Sequence, residues 1–406
     1  MEHVQGRHGR LLCITSCLFA LLLNASAWSA DARVAGGKTS VTVPFEMVDN
    51  RVFVTVKVNG TGPFHFILDT GVGGVGITPE AARQLGLTPA AGDEVVGVGE
   101  KQVSMGKTHL DRVDIGGIQI RDLEAEVFPS EDNPPVFGKA PMDGIIGLPL
   151  FESFVVRHDY QHKLLTFTVP DKFHYHGKGM VVPFIRPRQI PVVEGELDGV
   201  RGHFGIDTGA RSSLLLYGPF VEQNHLRTKY HARVEGVTGW GLGGPVRSQL
   251  ARASELKLGA VTVHDLVIRL SLQHRGATTS SAMAGLVGPD VLSQFSVTFD
   301  YSRQQIIFEP NPTYGRHDSW DRAGMWLGQD GDQYRVVDVI AGSPAEEAGI
   351  KVDDRVLAID GTSVAKLALS DVRQRMRTEP PGRAVTLRVE SAGLSRTVVI
   401  KLRDLV

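Results

Sequence analysis

An apolar run closes on an aspartate, a threonine and a glycine at Phe64-His65-Phe66-Ile67-Leu68-Asp69-Thr70-Gly71, and the same ending returns at Phe204-Gly205-Ile206-Asp207-Thr208-Gly209. The two aspartates are 138 positions apart. Two further blocks repeat in the same order. Gly116 and Asp122 correspond to Gly259 and Asp265 at an offset of 143, and Gly147 and Asp159 correspond to Gly288 and Asp300 at an offset of 141. Matched blocks at nearly constant offset mean that a whole folding unit has been duplicated in tandem, over residues 40–170 and 180–310. The period is far too long for a solenoid, whose repeats run to about 20–50 residues. Any fold must therefore accommodate two similar cores, each presenting one such aspartate.

Within each copy the patterning is β. Val52, Val54, Val56 and Val58 alternate with Arg51, Phe53, Thr55 and Lys57, which puts one apolar face on a strand. Asn59-Gly60 turns the chain and Phe64 to Leu68 returns it to Asp69; in the second copy Ile190 to Glu196, Asp198-Gly199 and Gly202 to Ile206 do the same. Short strands are expected at Glu94 to Val98, Leu110 to Ile115, Ile118 to Ile120 and Glu124 to Phe128. Thr78-Pro79-Glu80 has the chemistry of a helix start and Gly86 that of a helix stop, so Pro79 to Leu85 is predicted as one short helix.

Two carboxylates held together cannot both ionise cheaply, so they share a proton. The ionised member can then take a proton from water while the protonated member donates to a carbonyl oxygen. That chemistry explains why two copies are needed. Asp69 and Asp207 are the candidate catalytic pair, Thr70 and Thr208 brace the loops, and Gly71 and Gly209 let the backbones approach. Read structurally, Asp-Thr-Gly is ordinary turn chemistry after a strand; its recurrence in register with a larger repeat favours the pair. Gly71, Gly73 and Gly76 also satisfy a dinucleotide-binding spacing, but the second copy reads Gly209-Ala210-Arg211-Ser212-Ser213 and no alternation of strands and helices follows.

Each copy resembles the retropepsin-like aspartic protease fold. The residues that carry this are the strand ending in Asp-Thr-Gly, a glycine-bearing hairpin, and an apolar-apolar-glycine motif at Ile145-Ile146-Gly147 and Leu286-Val287-Gly288. The resemblance covers residues 40–310 and implies a mainly β, pseudo-two-fold bilobal unit with its site between the lobes. Val72 departs from the family, where alanine follows the glycine; Ala210 agrees with it. Gly236 to Gly244 makes a good mobile flap tip, with Gly239, Trp240 and Gly241 as candidate substrate contacts, whereas Gly97-Val98-Gly99-Glu100 is meagre, so a single working flap is expected. Trp240 equally suits packing on its own lobe.

Residues 311–320 are polar and rich in turn formers and read as a linker. The last unit, 321–406, resembles a PDZ domain of the permuted bacterial kind, on the strength of the stretch Gly342 to Gly361. The resemblance puts a carboxylate-binding loop at Gly324, Met325, Trp326 and Leu327, with a peptide adding as a strand beside it. Val372 and Met376 suit either its groove or its core. Such a unit is expected to be separable, so its removal would spare cleavage of a short peptide.

Of 406 residues 22% are charged, and the formal net charge is −2 with Lys and Arg scattered, which argues against a nucleic-acid face. Arg7 and Arg10 precede the apolar run Leu11 to Leu23, and Ala25-Ser26-Ala27 follows, so residues 1–27 are read as a signal peptide and the protein as periplasmic or secreted. A lipoprotein reading at Cys17 is weaker, because the apolar run continues past it. Cys13 and Cys17 are the only cysteines, so a mature chain would have no disulfide, thiol nucleophile or thiolate metal site. Neither a cofactor nor a metal is expected, nor a stable membrane anchor. The absence of Gly-x-Ser-x-Gly opposes a PDZ-bearing serine protease, and the histidines make no recognisable metal site. The sequence thus points to an exported aspartic endopeptidase acting on protein or peptide substrates, monomeric because both halves lie in one chain. The rivals are a non-catalytic peptide-binding adaptor on the same fold and a homodimer whose lobes pair between chains.

Overall fold

The computed structural model describes residues 31–129, 138, 142–187 and 189–406, so the apolar leader and its two cysteines lie outside the described residues. The two copies share the same central strand arrangement, in a nine-stranded sheet in the first and a seven-stranded sheet in the second. In the first, Arg51–Val58 pairs antiparallel with Thr61–Leu68, and Gly144–Ile146 runs parallel beside the latter with Ile145 opposite Ile67. In the second, Val192–Leu197 pairs with Val200–Ile206, and Gly285–Val287 runs parallel beside it with Leu286 opposite Gly205. Val75–Ile77 lies antiparallel to Gly144–Ile146 and parallel to Ile118–Val127, as Leu214–Leu216 does to Gly285–Val287 and Val261–Ser271. The core is made by the inward residues of these strands, among them Phe64, Phe66, Leu68, Phe204 and Ile206, all buried. Their burial supplies the main driving force for each sheet to close on itself.

Thr78 caps the predicted short helix, here Pro79–Gln84, by accepting the Ala81 N–H at 3.1 Å. The strands expected at Ile118 to Ile120 and Glu124 to Phe128 are one strand, Ile118–Val127. Asp122 explains the apparent break. It has a left-handed φ of 58° while the pairing on either side of it stays in one register, Leu110 opposite Leu123 and Arg112 opposite Arg121, and Asp265 repeats this in the second copy with φ 56°. Aspartate tolerates that conformation, so the polar interruption twists the strand locally without ending it.

The lobes join through a six-stranded sheet to which each copy gives three strands. Val155–Asp159 and Phe295–Asp300 pair at its centre, with Leu164–Thr168 and Gln305–Pro310 outside them, and Ser40–Pro44 and Met180–Pro183 at the edges. Across the seam Phe151 stacks on His158 and Tyr301, and Phe299 meets His158 edge-on. The sequence repeat thus becomes a pseudo-two-fold axis.

The last unit has a sheet ordered Met325–Asp330, Gln333–Val339, Arg355–Ile359, Ala384–Ser391, Leu394–Lys401, helices Pro344–Glu347 and Leu369–Thr378, and its own apolar core. Val372 and Met376 belong to that core. Residues 311–320, expected as a linker, are laid along the second lobe rather than spanning a gap. Tyr314 donates to the Thr262 carbonyl at 2.7 Å, and buried Asp318 accepts the Val267 N–H at 2.9 Å.

Candidate active site

The parallel strand pairs set the position of both aspartates. The Asp69 N–H bonds the Ile146 carbonyl at 3.0 Å, and the Asp207 N–H bonds the Val287 carbonyl at 2.9 Å. The apolar-apolar-glycine motif therefore holds each loop from behind. Its glycine is needed because a Cβ on Gly147 would lie 2.0 Å from the Val72 carbonyl oxygen and 2.6 Å from that of Asp69.

The threonines lock the loops reciprocally. The Thr70 N–H donates to Thr208 Oγ1 at 3.0 Å, and the Thr208 N–H to Thr70 Oγ1 at 3.0 Å. Each hydroxyl then donates across the axis, Thr70 to the Ile206 carbonyl at 2.7 Å and Thr208 to the Leu68 carbonyl at 2.9 Å. All four bonds are buried, where leaving any partner unpaired would cost about 1–3 kcal/mol. The glycines explain the approach of the carboxylates, since a Cβ on Gly209 would come within 2.2 Å of the Asp69 carboxyl carbon and one on Gly71 within 3.0 Å of that of Asp207.

The two carboxyls are not equivalent. Gly71 gives Asp69 one N–H, at 2.7 Å, while Gly209 and Ala210 give Asp207 two, at 2.8 and 3.0 Å. Burial raises the Asp69 carboxyl well above the usual carboxylate range, and the charge of Asp207 raises it further. Burial raises Asp207 too, but the bonds from Asp69, Gly209 and Ala210 oppose this. The pair titrates as a unit, and the second N–H on Asp207 favours the anion there and the shared proton on Asp69.

Residues 54–150 match a family model described as aspartyl protease, and residues 335–391 match one described as PDZ domain. The chain carries an aspartyl protease domain and a PDZ domain. Among solved structures it is similar to a retropepsin-like aspartic protease from Rickettsia conorii, at 19% identity and a TM-score of 0.26, covering 35% of this chain and 96% of that one. It is also similar to an aspartic proteinase from Irpex lacteus, at 13% identity and a TM-score of 0.44, covering 67% and 98%. A carboxyl-terminal-processing protease from a Synechocystis strain is 44% identical over 62 residues, which span 15% of this chain and only 14% of that relative.

The glycine-bearing turns of the two lobes meet each other. In the second lobe Val234–Gly241 and Gly244–Leu258 form the long hairpin. Its tip accepts the Gly99 N–H on the Leu242 carbonyl at 3.0 Å and the Lys101 N–H on the Gly243 carbonyl at 3.1 Å. The first-lobe turn is therefore short but completes the contact, because its glycines leave the backbone open to pair. Gly239 lies beside Arg269 and Gly241 against Val98. Trp240 is half-buried, and its indole N–H has no hydrogen-bond partner among the described residues.

Beneath the aspartates lies a charge cluster that the sequence reading did not contain. Arg51 donates to the Gly209 carbonyl at 2.7 Å and pairs with Asp49 at 3.2 Å. Asp49 also pairs with Arg211 at 2.8 Å and with Arg373 of the PDZ helix at 3.0 Å. Burial alone would raise the Asp49 carboxyl, but Arg211, Arg373 and Arg51 hold it below the usual range. Three guanidiniums around one carboxylate leave a net positive charge near the paired aspartates, which favours their singly ionised form. The visible signal was Arg211, which stands where the first copy has Gly73, but its partner is 162 positions away.

Gly324, Met325, Trp326 and Leu327 are all buried, Met325 and Leu327 in the PDZ domain's own core and Gly324 against Ser343, while Trp326 meets Arg211 of the second lobe. The guanidiniums of Arg211 and Arg373 lie over the Trp326 ring at 5.0 and 4.8 Å, and Arg373 donates to the Leu327 carbonyl at 2.7 Å. The cavity left beside the loop is about 30 Å³. That is room for a water molecule, against the several hundred Å³ or so that a bound ligand occupies. In this arrangement the loop is closed to a peptide terminus. No helix among the described residues is long and apolar enough to cross a membrane.

Proposed function

We propose that this chain is an exported aspartic endopeptidase that hydrolyses peptide bonds with Asp69 and Asp207, acting as a monomer whose two lobes stand in for two subunits. The observation that carries the reading is the reciprocal threonine lock, which holds two buried carboxyls against each other. A water between the carboxyls is deprotonated by Asp207, the member stabilised as an anion by two N–H groups. Its oxygen attacks the peptide carbonyl carbon while Asp69 gives its proton to the carbonyl oxygen. The tetrahedral intermediate collapses as the leaving nitrogen is protonated, which frees an amine and a carboxylic acid and leaves one proton on the pair. No group outside the chain enters this scheme. The substrate lies extended between the lobes, under the joined hairpin tips, and pairs through its backbone. The PDZ domain serves protein recognition, and its loop opens by parting from Arg211 and Arg373. Residues 1–27 direct export to the periplasm or medium.

Asp69→Asn and Asp207→Asn each remove the shared proton chemistry without changing size. Each is expected to lower kcat by about a thousandfold or more while the melting temperature does not fall. The wild-type rate should be bell-shaped in pH and should fall as pH rises through the upper apparent pKa of the pair, where the second proton is lost. A single mutant that still cut peptides at near wild-type rate would rule out the shared site.

A further inference from the structure

The PDZ domain touches the protease half at a second place, the base of the long hairpin. Asp338 lies on the PDZ strand Gln333–Val339 with its side chain largely buried. Its Oδ2 accepts the Val237 N–H at 2.6 Å, and its Oδ1 pairs with Arg247 Nη1 at 3.2 Å. Val237 and Arg247 face each other across the hairpin, so one carboxylate clamps both strands. Val234–Gly241 is the edge strand of its sheet, and the clamp satisfies an outward N–H that the edge leaves over. The register shifts immediately beyond it, between Val237 and Gly239, which is where the hairpin can bend.

The contact is closely fitted. A Cβ on Gly236 would come within 2.8 Å of Ile340 and 2.9 Å of the Asp338 carboxylate. Ile340 itself is seated against Leu250 and Val267 of the second lobe, flanked by Val234 and Trp320. The hairpin is thus held twice, at its base by the PDZ domain and at its tip by the first-lobe turn. Trp326 is the register partner of Asp338 on the neighbouring PDZ strand, so the clamp and the arginine cluster share one rung.

We propose that Asp338 is a positioning residue for the hairpin, which makes the PDZ domain a wall of the protease cleft and not a separable module. The proposal rests on the aspartic endopeptidase reading for its effect on cleavage. The contact between a carboxylate and two donors is charge-assisted, and its bond to the Val237 N–H is partly buried while Arg247 stays open to solvent, so the backbone bond is the part that sets the resting position of the strand.

The test uses the full chain as wild type, Asp338→Ala, Asp338→Asn and Val385→Ala. The last truncates a fully buried residue of the PDZ core and serves as a control for lost stability alone. Two quantities are read, cleavage of a short amidated peptide and amide hydrogen exchange over residues 234–258. Asp338→Ala should raise KM about tenfold with kcat within about twofold, and speed exchange at Val237 and its neighbours about tenfold. Asp338→Asn keeps an acceptor for Val237 and should recover most of both effects. Val385→Ala should lower the melting temperature and leave KM and local exchange in place. Unchanged KM and exchange in Asp338→Ala, or the same changes in Val385→Ala, would overturn the proposal. If the wild type cuts no peptide, the endopeptidase reading fails, and exchange alone decides whether Asp338 holds the hairpin.

Discussion

At the residue scale, His158 shows how a repeat can be read as an experiment already half done. It is fully buried in the seam between the lobes, and neither ring nitrogen has a hydrogen-bond partner among the described residues. Burial pushes its pKa down to about 3. An unfolded chain would take up a proton at the ordinary value near 6.5, so below that pH the unfolded state binds more protons than the folded one. Stability is therefore lost as pH falls from about 6.5 toward about 3, by about 2 kcal/mol at pH 5. The equivalent position in the second copy is Phe299, offset by 141 like its neighbours Asp159 and Asp300. His158→Phe should accordingly gain about 2 kcal/mol at pH 5 relative to its effect at pH 8, measured by urea unfolding at both values. Equal effects at the two pH values would mean that His158 does not titrate as a buried neutral ring. Asp69, Thr70, Gly71 and their copies were legible in the sequence because duplication marks which positions recur. Asp49, Arg51, Arg211 and Arg373 were not, since an ion pair between residues up to 324 positions apart leaves no local pattern.

At the element scale, the strand ends matter more than the strands. The alternation of Val52 to Val58 predicts a strand well, because period-two burial is a local property. Two predicted strands merged at Asp122 because a left-handed aspartate inside a strand looks like a turn residue from sequence alone. The pairing of the first-lobe turn with the hairpin tip was not legible for a related reason, since backbone pairing at Gly99 and Lys101 has no side-chain signature. The short strand Gly144–Ile146 is where an element most directly serves the site. Gly147→Ala would force a methyl into the Val72 and Asp69 carbonyls and push the aspartate loop forward. We expect a stability loss of about 1–3 kcal/mol by thermal or urea unfolding, with a much larger proportional loss of kcat, because the loop that moves holds Asp69. Full activity in a destabilised Gly147→Ala protein would show that the loop tolerates displacement.

At the scale of the whole molecule, the number of units was readable from the sequence, but not their mutual placement. Composition and repeats say that two lobes and a third unit exist. They cannot say that the third unit buries its loop against Arg211, or that Asp338 reaches Val237 across 101 positions. Those contacts tie the PDZ domain to the two lobes in this arrangement. The central claim remains that two aspartates from two copies form one hydrolytic site. It is tested most directly by incubating the full chain and its Asp207→Asn variant with a defined peptide mixture at mildly acid pH, and reading new termini by mass spectrometry. The account predicts new internal termini with the wild type and none with the variant. Identical termini from both proteins, or none from either, would contradict it.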